Sequence, residues 1–341
     1  MSENIHAFIC GVEGTSLNAY EIDYLTRYRP LGVILFARNC DNPEQIKALT
    51  AQIKSCLNHP LAMILIDQEG GRVARLRPPH WRAYPPAAHF SDMALHSVAD
   101  AKRATYLNAR LIAEDLTQLG INVNCAPLAD IPAPGSHDII GNRAFGKLAP
   151  QVIELASAQS KGLHDGGVMT ILKHIPGHGR ATADSHEDLP VVEASLKTLE
   201  DADFIPFKAL NTLPMAMTAH ILYTALDTSR VATLSPIVIE YIRTQIGFDG
   251  LLMSDDISMK ALKGDFSALS QGVWDAGCDI VLHCNGKREE MDAIASVVRP
   301  LAGKSLKRAE IAYNTPSRKA DRVEDLLAEL QTLSKDIYAT A

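Results

Sequence analysis

Short apolar segments recur along the chain, and between them lie stretches whose apolar residues follow helical spacing. Eight of the apolar segments are rich in Val, Ile, Leu and Met and are short enough to be strands with both faces buried. They are AFICGV (7–12), GVILFA (32–37), AMILID (62–67), INVNCAPLAD (121–130), GVMTILKH (167–174), PMAMTAH (214–220), GLLMSDD (250–256) and CDIVLHC (278–284). Strands that alternate with helices pair in parallel, so the pattern predicts an α/β fold and favours a closed (β/α)8 TIM-type barrel over an open sheet.

Several of the intervening stretches have clear helical periodicity, and the most regular are 42–58, 97–120 and 235–247. Ser235 precedes the last of these and Gly247 ends it, which are typical start and stop signals of a helix. Beyond Asn285 the pattern predicts further helices, the last of them within 322–339. We expect these C-terminal helices to lie against the exterior of the barrel.

No Gly/Ser-rich linker or shift in composition divides the chain. The Pro-rich segment 76–90 follows the third strand and is predicted to be a long loop. The length of 341 residues suits one barrel with insertions. We therefore expect a single domain over residues 1–341, in which the additional helices begin at about residue 286.

Composition narrows the class of partner. A formal net charge of −7, without a block of Lys or Arg, argues against nucleic acid or an anionic membrane and favours a small-molecule substrate. The amino terminus lacks a basic region followed by an apolar one, and no apolar run reaches the roughly 18 residues of a membrane span, so a cytoplasmic location is expected. The six cysteines are scattered, which predicts reduced thiols. No nucleotide-binding glycine motif is present.

Polar residues follow the predicted strands at the ends where they leave the sheet. They are Asp67, Gln68 and Glu69 after the third strand, Asp130 after the fourth, Lys173 and His174 in the fifth, His220 in the sixth, and Asp255 and Asp256 in the seventh. One such residue alone, Asp256 for example, is more often a helix cap or a turn residue. Their concentration at one end of a TIM barrel, where active sites form, predicts a catalytic site.

The segment LKHIPGHGRATADSHEDLP (172–190) carries three histidines and can be neither a helix nor a plain strand. Asp184 and His186 are separated by one residue, so both side chains project to the same side of an extended loop, as a proton-transfer pair requires. A metal site formed by His174, His178 and His186 is an alternative, although the Pro-Gly between the first two argues against a helical His-x-x-x-His face. A third interpretation is a Gly-rich surface loop with incidental histidines.

The segments KHIPGHG and ADSHEDLP, with DQEGGRVAR (67–75) upstream and MSDDISM (253–259) downstream, resemble glycoside hydrolase family 3. Within that family the chain is similar to the single-domain bacterial β-N-acetylglucosaminidases of peptidoglycan recycling, over roughly residues 7–285. The resemblance implies Asp255 as the nucleophile, His186 as the general acid/base and Asp184 as the residue that orients His186. The sugar-binding residues that it implies are Asp67, Arg75, Arg143, Lys173 and His174.

The activity implied by this resemblance is retaining hydrolysis of terminal β-linked N-acetylglucosamine from GlcNAc-anhydro-muramyl peptides, by a monomer that needs no cofactor and no metal. The chain departs from the family pattern at Ile175, Ala144 and Ile257, none of which is a reacting group. Alternatives are a β-glucosidase or a broad exo-glycosidase of the same family, a metal-dependent barrel hydrolase, and a sugar-binding barrel without catalysis.

Buried charges are costly unless they are paired. We therefore expect the three cations of the implied site to pair with acids such as Asp130 or Glu69. His178 and His220 are expected to support the site or the core without reacting.

Overall fold

The structure is a computed structural model that describes residues 5–181, 183 and 188–334. Within these ranges the strands are β1 (His6–Gly11), β2 (Pro30–Leu35), β3 (Met63–Ile66), β4 (Gln68–Gly70), β5 (Val73–Ala74), β6 (Val123–Asn124), β7 (Met169–Thr170), β8 (Leu172–Ile175), β9 (Val191–Val192), β10 (Met215–Thr218), β11 (Leu222–Tyr223), β12 (Leu251–Asp256) and β13 (Ile280–His283). The α-helices are α1 (Ala19–Tyr28), α2 (Pro43–Leu57), α3 (Ala87–Ala94), α4 (Val98–Gln118), α5 (Ala149–Asp165), α6 (Leu196–Asp201), α7 (Ile205–Ala209), α8 (Pro236–Tyr241), α9 (Phe266–Ala276), α10 (Arg288–Ala295), α11 (Gly303–Asn314) and α12 (Val323–Leu333).

Nine of the strands form one parallel sheet in the order β7-β6-β3-β2-β1-β13-β12-β10-β8. The two strands at its ends, β7 and β8, are separated in the chain by Ile171 alone, so they are two halves of one segment. β7 pairs with β6 on one side, and β8 pairs with β10 on the other. The sheet therefore closes on itself, which confirms the prediction of a TIM-type barrel.

The barrel strands are almost completely buried, because side chains fill the interior on one face and the helices cover the other. The segment 31–35 of β2 and all of β3 have every residue buried, as do β8, β10 and β13. Residues such as Phe8, Ile9 and Leu65 have no accessible surface. Burial of one such side chain stabilises the fold by about 1.5–3 kcal/mol, and this apolar packing holds the strand ends in place.

Helix boundaries follow the signals in the sequence. Asn42 caps α2 by accepting a hydrogen bond from the Gln45 N–H, and Ser97 caps α4 in the same way. Ser235 caps α8, as predicted. The predicted helix 235–247 is α-helical only up to Tyr241. Residues 242–246 form a π-helix, and the chain then turns at Gly247 with φ 78°.

Two predicted segments differ from the structure. The fourth predicted strand, 121–130, forms a regular strand only at Val123–Asn124. Pro127 has no N–H to donate, and beyond it a single parallel bridge joins Leu128 to Lys173, where the Lys173 N–H donates to the Pro127 carbonyl at 3.0 Å and the Ala129 N–H donates to the Lys173 carbonyl at 2.8 Å. The predicted loop 76–90 ends early, since α3 begins at Ala87. Before that loop the chain forms an antiparallel hairpin of β4 and β5 that the sequence analysis did not predict.

The C-terminal segment returns to the barrel exterior at α4. In α12, Leu326 and Leu330 are buried, and Glu329 forms a bidentate ion pair with Arg103 of α4 at 2.6 Å for each contact. The connection before α12 is held by Asp321, whose carboxylate lies 2.8 Å from the buried Arg110. These contacts attach the last described helix to the barrel.

Among the residues that the structure describes, no helix is both long and apolar enough to cross a membrane. All six cysteines are free thiols, as predicted.

We expect Gly32→Ala to destabilise the barrel, because an added Cβ would overlap the carbonyl oxygen of Met63 on the adjacent strand and lie 2.8 Å from the Met63 Cβ. Overpacking of this kind costs about 1–3 kcal/mol. Urea denaturation measures the change in the free energy of unfolding. The matched control is Gly14→Ala, where the nearest atom lies 4.0 Å away. Equal stabilities of the two variants would contradict the prediction.

Candidate active site

A cavity of about 340 Å³ opens where the barrel strands end. Of the eight residues that the sequence analysis assigned to the site, six line this cavity: Asp67, Arg75, Arg143, Lys173, His174 and Asp255. The other two, Asp184 and His186, lie outside the described residues. The fold thus brings together every predicted site residue that the structure describes, from chain positions almost 190 residues apart.

The hairpin of β4 and β5 delivers part of the site to the cavity. Gly70 and Gly71 have φ 112° and 57°, values that favour glycine, and they allow the tight turn. Buried Gln68 fixes the return strand, since its Oε1 accepts hydrogen bonds from the N–H groups of Arg75 and Leu76 at 2.9 and 3.0 Å. Short backbone segments on either side of the turn are therefore held rigidly over the strand ends.

An ion cluster occupies the floor of the cavity, with Lys173 at its centre. The Lys173 Nζ lies 3.0 Å from Asp67 Oδ1 and 2.7 Å from Glu69 Oε1. Arg75 Nη2 lies 2.9 Å from Asp67 Oδ2. Arg143 binds Glu69 with two parallel contacts, Nη2 to Oε1 at 2.8 Å and Nε to Oε2 at 2.9 Å. The expectation that Glu69 pairs with the site's cations is confirmed.

The ion cluster determines the protonation of its own members. Burial raises the pKa values of Asp67 and Glu69, but Lys173 and the two arginines outweigh it, so that both pKa values fall, that of Glu69 to about 2. Burial lowers the pKa of Lys173, and the two carboxylates reverse this and raise it. Asp67, Glu69 and Lys173 are therefore charged at neutral pH. Because the pKa of Glu69 falls from its ordinary 4.5, its stabilising contribution is present above that pH and is lost as the pH drops toward about 2.

Asp130, the other acid considered as a partner for the cations, pairs with His174. Its Oδ2 lies 2.8 Å from His174 Nδ1, and its Oδ1 accepts the His178 backbone N–H at 2.6 Å. Burial raises the pKa of Asp130, but the interactions with His174 and His178 outweigh it and lower that pKa. Since Asp130 is ionised and accepts from Nδ1, the Nε2 of His174 is the ring atom left for a ligand. His178 is buried, and burial followed by the neighbouring His174 lowers its pKa to about 4, so it is neutral at pH 7.

Asp255 and Asp256 end β12 with different environments. The Asp256 N–H donates a hydrogen bond to Asp255 Oδ1 at 2.8 Å. The Asp256 carboxylate accepts from the Ser258 N–H at 3.0 Å, from its hydroxyl at 2.6 Å, and from the Cys284 N–H at 3.1 Å. Asp256 therefore shapes the turn after the strand, the role expected of a lone residue of this kind.

A buried hydrogen-bond chain supports that turn from behind. His220 Nε2 lies 3.0 Å from the Asp256 carbonyl oxygen, and its Nδ1 lies 2.7 Å from Thr233 Oγ1. Burial lowers the His220 pKa, so the ring is neutral. A carbonyl can only accept, so Nε2 carries the proton, Thr233 donates to Nδ1, and Thr218, 2.7 Å from Thr233, donates to Thr233. These hydrogen bonds hold the backbone beside Asp255 in place.

Part of the cavity wall is apolar and was not predicted from the sequence. It includes Phe36, Ile139, Ile140, Met217 and Met259. The guanidinium groups of Arg38 and Arg75 lie 5.0 and 5.1 Å from the centroid of the Phe36 ring. Two of these residues could have been found from their positions, because Phe36 lies near the end of the second predicted strand and Met259 lies in the downstream family motif.

One further cation, Arg72, lines the cavity and was not assigned to the site. It lies in the turn of the hairpin, inside the motif DQEGGRVAR and between two residues that were assigned.

A metal site was one alternative for the histidines. Among the residues that the structure describes, no group of three His, Cys, Asp or Glu side chains has an arrangement that could hold a metal ion. His174 is engaged with Asp130 through Nδ1. The third histidine of that alternative, His186, lies outside the described ranges.

Comparison with known proteins adds an independent line of evidence. Residues 11–315 match the model of the glycosyl hydrolase family 3 N-terminal domain. The β-hexosaminidase of Alkalilimnicola ehrlichii is 36% identical over 295 residues, which cover 85% of this chain and 83% of that protein. The crystal structure of NagZ from Neisseria gonorrhoeae in complex with N-trifluoroacetyl-D-glucosamine superimposes with a TM-score of 0.88, at 30% identity and 99% coverage of both chains. NagZ from the same organism in complex with zinc ion gives a TM-score of 0.86, at 29% identity and 98% coverage of both chains.

Most of the barrel is included in the matched range, and the residues that carry the cavity lie inside it. The chain therefore belongs to glycosyl hydrolase family 3, and it is a glycoside hydrolase.

Proposed function

We propose that this chain is a retaining exo-β-N-acetylglucosaminidase, and that it releases terminal β-linked N-acetylglucosamine from GlcNAc-anhydro-muramyl peptides during cell-wall recycling. The observation that carries the proposal is the convergence of Asp255 with the ion cluster in one cavity. Relatives named β-hexosaminidase and the NagZ complex with an N-acylated glucosamine analogue support the choice of sugar. A cytoplasmic monomer is part of the same proposal.

The ion cluster supplies the groups that bind the sugar. Its cations donate hydrogen bonds and its carboxylates accept them, as a sugar with hydroxyl groups on both sides of the ring requires. The members are held by one another at 2.7–3.0 Å, so little rearrangement is needed when a sugar binds. In this proposal Asp67, Arg75, Arg143 and Lys173 hold the hydroxyl groups, and His174 contributes its Nε2.

The reaction proceeds in two steps on the bound sugar. Asp255 attacks the anomeric carbon while His186 transfers a proton to the glycosidic oxygen, so that the aglycone leaves as an alcohol and a covalent glycosyl-enzyme forms. His186, now neutral, then removes a proton from water as the water displaces Asp255. Asp184 orients His186 and favours its protonated form in the first step. The net reaction consumes one water and restores both residues.

Sugar selectivity tests the proposal most directly. We expect kcat/KM for an aryl β-N-acetylglucosaminide to exceed that for the aryl β-glucoside with the same leaving group, on the order of 100-fold or more, because a site built to hydrogen-bond one group rejects the analogue that lacks it. Steady-state assays with the two substrates measure the ratio. A β-glucosidase would give the reverse preference, and equal rates would indicate a broad exo-glycosidase.

Replacement of Asp255 with Asn should reduce turnover on the order of 10⁴-fold while the fold is kept, since the amide has nearly the same shape and cannot attack. Circular dichroism checks the fold. The control is Asp201→Asn, which changes an exposed carboxylate paired with Lys197. In the wild type, a slowly hydrolysed glycoside should add one glycosyl unit to the peptide that contains Asp255. An adduct on Asp256, or normal activity of Asp255→Asn, would show that the nucleophile is assigned to the wrong residue.

For His186→Ala, the leaving group decides the effect. Hydrolysis of a natural disaccharide should fall by about 10²–10⁴-fold, because its leaving group requires a proton, whereas a dinitrophenyl glycoside should still form the glycosyl-enzyme. Stopped-flow absorbance should therefore show a burst of phenolate and then a slow steady rate, which azide accelerates because it needs no deprotonation. Asp184→Ala should give a milder version. Equal losses on both substrates without a burst would move the acid/base role to another residue, with His178 the next candidate.

A further inference from the structure

Arg72 differs from the other cations that line the cavity. Arg75, Arg143 and Lys173 each lie within 3.0 Å of a carboxylate oxygen, and their side chains are largely buried. The Arg72 side chain is 41% exposed, and its only carboxylate neighbour among the described residues is Asp138, at 3.7 Å and 88% exposed. Arg72 therefore carries a positive charge at the mouth of the cavity that the protein itself neutralises weakly.

The guanidinium of Arg72 is nevertheless held in position. Its Nη2 donates to the backbone carbonyl oxygens of Asp138 at 2.5 Å and Ile139 at 2.7 Å. This clamp joins the hairpin to the segment that also carries Arg143, whose Nη1 donates to the same Ile139 carbonyl at 3.2 Å. The clamp uses Nη2, and the Asp138 carboxylate at 3.7 Å lies beyond hydrogen-bond distance of Nη1, so among the described residues the N–H groups of Nη1 have no hydrogen-bond acceptor.

The position of Arg72 relative to the ion cluster identifies the part of the substrate that it meets. The ion cluster is deep, with Lys173 only 3% exposed, and it binds the sugar whose anomeric carbon faces Asp255. The leaving group must extend toward the mouth, where Arg72 stands beside the partly exposed side chain of Ile139. The apolar face of a sugar ring packs against such a side chain, and a carboxylate on that ring meets the guanidinium.

We propose that Arg72, with Ile139, forms an aglycone subsite that selects leaving groups carrying a carboxylate. The proposal rests on the proposed function, because anhydro-muramyl aglycones supply such a carboxylate, either on the lactyl ether itself or on the peptide attached to it. Both sources present the same chemistry to Nη1. The exposed Asp138 carboxylate competes for that position in the free enzyme.

The test compares disaccharides that differ only in the charge of the aglycone. GlcNAc-β-1,4-anhydro-muramic acid has a free lactyl carboxylate, and its methylamide is the neutral match. We expect the wild type to cleave the acid with a kcat/KM roughly tenfold higher than the methylamide, the scale of a charge-assisted hydrogen bond. Added salt should reduce this ratio, because the contact is partly exposed to solvent.

Three variants test whether Arg72 recognises the aglycone carboxylate or only holds the hairpin in place. Arg72→Gln should bring the acid-to-amide ratio close to one. Asp138→Asn should raise the ratio above that of the wild type, because the competing carboxylate is gone. Arg77→Gln is the control: it removes a neighbouring charge whose contacts are the Ala74 and Arg72 carbonyls, and the ratio should stay at the wild-type value.

The outcomes distinguish this inference from the proposed function. If a peptide conjugate is cleaved with a higher kcat/KM than the methylamide, and Arg72→Gln abolishes the difference, the peptide carboxylates are the group that Arg72 recognises. If only the free acid is cleaved faster than the methylamide, that group is the lactyl carboxylate. Equal cleavage of acid and methylamide by the wild type, or an equal loss on both in Arg72→Gln, would overturn the subsite while the proposed function stands. Failure to cleave any of the disaccharides would overturn both.

Discussion

The contact of Lys173 with two carboxylates is the interaction on which the site depends. Its ammonium group lies between Asp67, which follows β3, and Glu69, which belongs to the hairpin. An ammonium buried in this way is tolerable only because both partners are present, and removal of one partner from such a buried pair costs about 3–5 kcal/mol. The requirement for charge balance therefore fixes the hairpin over the barrel, and through Glu69 it fixes Arg143 as well.

The same principle explains how neighbouring carboxylates in one cavity have different tasks. Asp130 is held by His174 and a backbone N–H, and Asp256 by the turn that it shapes. In the proposed mechanism Asp255 is the carboxylate that reacts. The backbone beside it is held by the hydrogen bonds that link His220, Thr233 and Thr218. Most of these polar residues hold other side chains or backbone segments of the site in place. Such fixed surroundings are what stabilises a transition state.

The sequence predicted features that depend on local patterns. Strand ends are local, so Asp67, Lys173 and Asp255 could be assigned to one end of the barrel from the sequence, and the helix cap at Ser235 is local too. The hairpin was missed because a ladder of two or three residues gives no periodic signal and is stabilised by tertiary contacts. Asp130 and Glu69 were both candidate partners of the cations, and charge alone does not say which of the two the fold brings within 3 Å of them, which is Glu69. The roles of Asp184 and His186 stay predictions from the resemblance.

The closure of the barrel has a consequence for synthesis of the enzyme. β1 completes its pairing only with β13, where Phe8 lies opposite Val281, so the amino-terminal strand must wait for almost the whole barrel to leave the ribosome. The segment divided into β7 and β8 joins both halves of the sheet and carries Lys173 and His174. No nascent fragment that ends before β13 contains a closed ring, so a growing chain acquires its complete cavity in one late event rather than by degrees.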